Sequence, residues 1–183
     1  TGKPKGVMHT FGNFAWALGA GIKRIPMGQE DRMLSYLPLA HVVERVLVEH
    51  GWLRTGMHLF FAESLDTFAA DLQRARPTIF FSVPRLWVKF QQGIHHKMPE
   101  AKLNRLLSIP LIGGLVRRKV QKALGLDQCR IAAGGAAPMP LALLQWYSKL
   151  GIDINEGYGM TENLAVSHIT EPGKNQQGSV GPA

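Results

Sequence analysis

Five short apolar runs set the terms on which this chain can fold. They are Met33-Leu34-Ser35-Tyr36-Leu37, Met57 to Phe61, Thr78 to Val83, Arg130 to Ala133 and Gly151 to Ile154. Each is short and almost continuously apolar, as parallel strands covered on both faces are. The ends of the first three, Leu37, Phe61 and Val83, lie 24 and 22 residues apart, the length of a strand–helix–strand step. Helical spacing fills the intervals: Val43, Val46, Leu47 and His50 share one face, as do Leu65, Phe68, Ala69 and Leu72. Leu143, Trp146, Tyr147 and Leu150 repeat the pattern after Pro140, a residue the first helical turn tolerates. The expectation is an α/β protein with a mostly parallel sheet layered between helices.

Composition narrows the class. With 183 residues, 45% apolar and 19% charged, the chain suits neither a disordered segment nor a coiled coil. The longest apolar run, Phe14 to Ile22, is far short of the ~20 residues a membrane-spanning helix needs. One cysteine, Cys129, allows no intramolecular disulfide and suits a reducing compartment. With no charged segment leading into an apolar one at the start, the expected location is the cytoplasm. Cys129 itself reads as a structural thiol ahead of a strand.

The formal charge of +8 resides in one stretch. Arg85 to Lys122 holds nine Lys/Arg and one acid, Glu100, whereas all other residues hold twelve of each sign. Nucleic-acid binding is not expected, because no helix-turn-helix, RNP or zinc-finger pattern accompanies the charge. Arg85 to Lys97, Lys102 to Leu107 and Leu115 to Leu124 read as three helices, broken at Met98-Pro99, Ile109-Pro110 and Gly113-Gly114. They form a helical insertion between the third and fourth strands. A solvated face, a membrane contact with Ile109 to Ile112 as an apolar wedge, and a contact with an anionic co-substrate are its three readings. His95 and His96 are expected in solvent, and Trp87 and Phe90 in the core.

Three loops carry the chemistry. Thr1-Gly2-Lys3-Pro4-Lys5-Gly6-Val7 sets backbone amides and lysines where an anion could be cradled, although a plain loop accounts for it and it is not a P-loop. Ile131 to Pro138 runs from a strand into Gly134-Gly135-Ala136-Ala137, where a flat group could lie against backbone. A tight strand-to-helix turn explains the same residues. Ile154 to Glu162 offers an aromatic face at Tyr158, a hydroxyl at Thr161 and a hard carboxylate at Glu162 suited to Mg²⁺. A solvated turn explains any one of these alone. His41 with Glu44 has helical spacing, but no second pair completes a metal site, and Glu44-Arg45 reads as an ion-pairing feature.

Together these segments resemble the adenylate-forming (AMP-binding) superfamily, in the form of long-chain fatty acyl-CoA synthetases. Thr1 to Val7 is similar to the end of its phosphate loop. Tyr36-Leu37-Pro38-Leu39-Ala40-His41 with Glu44-Arg45 is similar to its next core motif, and Gly135 to Pro138 to its adenine-side loop. Gly157-Tyr158-Gly159-Met160-Thr161-Glu162 matches the Gly-Tyr-Gly-x-Thr-Glu signature, and Gly178-Ser179-Val180-Gly181 the Gly-x-x-Gly that follows. Ser82 to Trp87, the insertion and Leu124-Gly125-Leu126-Asp127 strengthen the likeness to fatty-acid ligases.

The resemblance implies ATP, Mg²⁺ and CoA as cofactor and co-substrates and a fatty acid as the acid activated. It places Thr1, Gly2 and Lys5 at the β- and γ-phosphates. Gly135, Ala136, Ala137, Pro138, Glu156, Gly157, Tyr158, Gly159 and Met160 line the nucleotide, with Tyr158 stacked on adenine. Thr161 and Glu162 are the catalytic pair, Thr161 bonding the α-phosphate and Glu162 holding the metal, and His41 lies at the substrate. An apolar tunnel for the acyl chain gains about 0.8 kcal/mol per buried CH₂. The implied domain organisation is residues 1–183 as a partial adenylation domain with a basic helical insertion at 85–125. The family's N-terminal part, ribose-binding Asp, hinge and C-terminal lid with its Lys lie outside it. A ligase for another carboxylic acid, or a non-catalytic nucleotide- or lipid-binding module, are the other readings; the oligomeric state is left open.

Overall fold

The computed structural model describes Lys3 and residues 5–182, leaving out Thr1, Gly2, Pro4 and Ala183. The chain alternates as expected. Helix α1 (Phe11–Arg24) precedes strand β1 (Arg32–Ser35), a π-helical segment (Glu44–His50), α2 (Gly51–Thr55) and β2 (His58–Phe61). Helix α3 (Phe68–Ala75) and β3 (Ile79–Ser82) follow, then α4 (Pro84–Lys97), α5 (Glu100–Leu107) and α6 (Ile112–Leu124). Strand β4 (Ile131–Gly134), α7 (Leu141–Lys149), β5 (Ile154–Tyr158), a 3₁₀ turn (Thr161–Asn163) and β6 (His168–Ile169) complete it.

Local chemistry sets the boundaries. The Thr10 side chain caps α1 by accepting the Asn13 amide at 3.1 Å, and Lys23 and Arg24 in its last turn complement the carbonyl end. Pro26, two residues on, disfavours helix in Ile25 before it. Pro84 opens α4, where its missing N–H costs nothing.

β3, β4 and β5 are parallel, and β6 runs antiparallel to β5. β1 and β2 form a separate parallel pair. Beside β3, β1 is joined at one end by the Thr78 amide donating to the Arg32 carbonyl at 3.0 Å. At the other end the Tyr36 hydroxyl donates to Phe81 O at 3.2 Å and bonds Ser82 Oγ at 3.1 Å. Asp31 locks the first junction. Its carboxylate accepts from Thr78 Oγ1 at 2.7 Å, from Arg130 at 2.6 and 3.0 Å, and from the Gly28 amide at 2.9 Å.

Alternate strand residues feed opposite layers. Leu34, Phe80 and Ala132 join the larger core with Trp87, Leu103, Tyr147 and Leu150, against α3 to α7. Met33, Ile79 and Ile131 pack on the other side with Val48 and Met57. Trp87 is fully buried, its ring edge-on to Tyr147 at 4.9 Å, and Tyr147 donates its hydroxyl to the Trp87 carbonyl at 2.6 Å. Phe90 packs against this cluster, so both aromatics are core, as expected.

Three expectations are corrected. The last long strand begins at Ile154, not Gly151, so Asn155 to Tyr158 belong to β5 rather than to a loop. His95 is not solvated: its ring stands edge-on to Trp146 at 5.4 Å, and its Nε2 is buried without a hydrogen-bond partner, whereas His96 is exposed. Glu44 does not pair with Arg45, which instead bonds Glu49 at 3.0 Å. The Cys129 thiol donates to the Ile131 carbonyl at 3.2 Å, and burial pushes its pKa up to about 12, as a structural thiol requires.

Candidate functional site

Parallel strands direct their C-terminal ends toward one edge, and ligand-binding loops collect there. A cavity of about 550 Å³ opens at that edge. Its floor is Ile79 and Phe81 of β3 with Ile131 and Ala133 of β4. One wall is α1, through Ala17, Leu18, Ala20 and Gly21, and another is the start of the π-helical segment, through Val43, Val46 and Leu47. The lining is mainly hydrocarbon. Its polar lining comes from Arg24, His41, Tyr158, Thr161, Ser167 and His168.

Gly135, Ala136, Gly157, Tyr158, Gly159, Met160, Thr161 and His41 therefore converge on one chamber. Tyr158 ends β5, half exposed and tilted against His168 with ring centroids 6.0 Å apart. From Ala133 to Ala136 no side chain exceeds a methyl. A flat ring could thus lie beside Tyr158 against backbone, a geometry that fits a nucleotide base.

After β5 the chain reverses tightly. The Met160 amide donates to Asn163 Oδ1 at 2.9 Å, and Leu164 and Ala165 both adopt positive φ, 57° and 58°. A Cβ on Gly159 would meet the Ala165 carbonyl carbon at 2.6 Å, so only glycine closes this turn. His9 reaches over from the segment before α1, and its Nε2 lies 2.7 Å from the Thr161 carbonyl oxygen.

Other candidates lie apart. Ala137, Pro138, Glu162 and Lys5 are exposed and do not line the chamber. Glu156 is buried, and its carboxylate accepts the Gly178 amide at 2.7 Å, so its side chain secures the Gly178–Gly181 segment and does not line the chamber. Thr1 and Gly2 lie outside the described residues. Among the described residues, no group of three or more His, Cys, Asp or Glu could hold a metal. Glu162 alone fits Mg²⁺ only in company with phosphate oxygens, which is how Mg²⁺ commonly binds.

The chamber also contains what the motifs did not indicate. The wall from α1 was signalled only by the apolar run Phe14 to Ile22. Glu44, which the core motif included, does not line the chamber but braces the loop beside it. It is a nearly fully buried carboxylate that accepts from Ser35 Oγ and from the backbone amides of Tyr36 and Leu37. Burial raises its pKa, and those hydrogen bonds offset only part of the rise. It thereby fixes the loop from β1 to His41, whose Nδ1 accepts the Val43 amide at 3.3 Å.

Comparison with known proteins agrees with this arrangement. The AMP-binding enzyme family profile matches residues 1–183. The long-chain-fatty-acid–CoA ligase ACSBG2 of Rattus norvegicus is 34% identical over 194 residues, covering 88% of this chain and 29% of that protein. Long-chain-fatty-acid–CoA ligase 6 of Mus musculus is 33% identical over 202 residues, covering 99% and 29%. The chain thus spans about three-tenths of the length of these relatives. Among solved structures, the anthranilate CoA ligase AuaEII with anthranoyl-AMP superposes at a TM-score of 0.71 and 21% identity, over 98% of this chain and 31% of that one. The N-terminal domain of FACL13 from Mycobacterium tuberculosis gives 0.66 at 25% identity, over 94% and 38%.

Proposed function

The chain belongs to the AMP-binding enzyme family, and from that premise we propose that it supplies the nucleotide- and acid-binding part of an ATP- and CoA-dependent long-chain fatty-acid ligase. In this reading the carboxylate oxygen of the acid bonds to the α-phosphorus of ATP as pyrophosphate leaves. The CoA sulfur then bonds to the acyl carbon as AMP leaves. One observation carries the reading: a mainly apolar chamber is lined as well by His41, Tyr158 and Thr161. A hydrocarbon tail and a nucleotide would meet there, with the reacting carboxyl between them.

Each residue has a physical task. Tyr158 offers its ring to adenine beside the small residues Gly135 and Ala136, and Thr161 presents a hydroxyl for the α-phosphate. Holding the two reactants together removes most of the entropic barrier. His41 meets the carboxyl end of the acid. Bound Mg²⁺, held by Glu162 and phosphate oxygens, would neutralise charge that repels an anionic nucleophile. By their motif, Thr1, Gly2 and Lys5 serve the β- and γ-phosphates. We place the enzyme in the cytoplasm beside a membrane surface, into which its acid partitions.

Pyrophosphate release by the full-length protein, over a panel of acids with and without CoA, tests this. Release with long-chain acids above all others is expected, with CoA needed for thioester formation. Preference for an aryl acid would replace the substrate assignment, and no release with any acid would leave a non-catalytic binding module.

A further inference from the structure

The basic insertion ends in a feature that folding does not explain. α5 and α6 form a hairpin whose four-residue tip is Ser108-Ile109-Pro110-Leu111. The tip closes very tightly. The Ile112 amide bonds Pro110 O and the Gly113 amide bonds Ile109 O, both at 2.8 Å, and a Cβ on Gly113 would meet the Leu107 carbonyl carbon at 3.1 Å. That closure directs apolar side chains outward. Leu111 is 92% and Leu115 71% exposed, and Ile109 and Ile112 are also exposed. Leu111 moreover adopts φ 66°, ψ −47° at the centre of the γ-turn that the Ile112 amide closes, a conformation costly for a branched residue.

Two exposed stripes run down to this tip. Lys102 and Arg105 lie one turn apart on α5, which leads to the exposed Ile109, and Leu115, Arg118 and Lys122 follow helical spacing on α6, which the exposed Leu111 precedes. In both, the cations lie behind and the hydrocarbon in front. None of these four cations takes part in an ion pair among the described residues, and Glu100 is the sole acid from Arg85 to Lys122.

We propose that the α5–α6 hairpin docks on an anionic phospholipid surface. Leu111, Ile112 and Leu115 insert at the headgroup level, and Arg105, Arg118, Lys102 and Lys122 lie against the phosphates. The distribution of charge selects this partner. An acidic protein would match the cations but leave the leucine tip wet, whereas a bilayer interface satisfies both at once. The cations retain bulk water on their outer faces while their stems cover apolar surface. The docking goes beyond the ligase reading, for its test depends on vesicles alone.

Sedimentation of the full-length protein with vesicles of phosphatidylcholine, alone or with phosphatidylserine, decides the matter. At low salt, binding to the anionic vesicles should exceed binding to the neutral ones at least tenfold and fall steeply with salt. Replacing Arg105 or Arg118 by Gln should weaken binding about fivefold each. Leu111→Ser with Leu115→Ser should weaken it further, with pyrophosphate release from a soluble short acid unchanged in every variant. Equal binding to both vesicles, or wild-type binding by the serine variant, overturns the proposal. So does failure of a thiol probe to label Leu111→Cys in the lipid-free full-length protein, since another part of the protein would then cover the tip. Absence of pyrophosphate release from the wild type, with vesicle binding intact, would count against the ligase reading only.

Discussion

Glu44 concentrates the physics of the site in one side chain. A carboxylate buried this deeply is costly unless donors surround it, and here the donors are the Ser35 hydroxyl and two amides of the loop that ends at His41. All three ask for an acceptor, not for charge. Glu44→Gln keeps an acceptor oxygen for the amides and reverses the bond at Ser35, its NH₂ donating to Ser35 Oγ, while removing the cost of a buried charge. Its thermal midpoint at pH 8 should match or exceed that of the wild type, with activity retained. Glu44→Ala leaves two buried amides unpaired, at about 1–3 kcal/mol. It should raise KM for the acid while leaving KM for ATP nearly unchanged. Equal effects of the two substitutions, or a change confined to ATP, would show that the carboxylate does not act through the loop.

At the scale of elements, helix α4 is bound to the sheet by its aromatic face. Trp87 has no exposure and touches Phe80, Phe90 and Tyr147. Trp87→Ala should destabilise the fold by about 3–5 kcal/mol in a denaturant titration. A loss under 1 kcal/mol would mean that the core closes over the gap. Most elements were legible in the sequence, because apolar runs of strand length and stripes of helical spacing are local signals. The insertion helices fell where Met98-Pro99 and Ile109-Pro110 marked their limits, but Gly113 and Gly114, expected to precede the last of them, lie inside α6. β5 was displaced because Asn155 and Glu156 look like loop residues. Their polar groups find partners only in the fold, Asn155 Nδ2 at the Ala132 carbonyl at 3.0 Å and Glu156 at Gly178. β6, two residues long, carries no periodicity at all. Tyr158 and Thr161 were legible as a motif. The α1 wall of the chamber was not, since a helix face reveals its neighbour only in three dimensions.

The whole molecule responds to pH through a few carboxylates. Burial pushes Asp31 up, but Arg130, Thr78 and Gly28 outweigh it and hold it below the ordinary value. Asp127, bonded by Arg76 at 2.5 and 3.1 Å, is lowered as well. In the unfolded chain both titrate near about 3.9. Their stabilisation is complete above that pH and is lost as pH falls through the lower native values. Glu44 has the opposite sign. Its raised native pKa favours the fold below about 4.3, an advantage lost as pH rises through the native value. The thermal midpoint should therefore fall on acidification below about pH 5, the two aspartates outweighing one glutamate. Asp31→Asn should lower the midpoint at pH 7 and flatten the acid limb. An unchanged acid limb in that variant would locate the sensitivity elsewhere.

β1 lies beside β3 without a continuous ladder, fastened by Thr78 at one end and by the Tyr36 phenol at the other. The residues that follow β1 form one wall of the chamber, and β3 with β4 forms its floor. The distance from wall to floor is therefore governed by an unlaced join rather than by a rigid sheet. A guest that pressed wall and floor apart would thus load the Asp31–Thr78 and Tyr36–Ser82 bonds before it disturbed any strand-to-strand ladder.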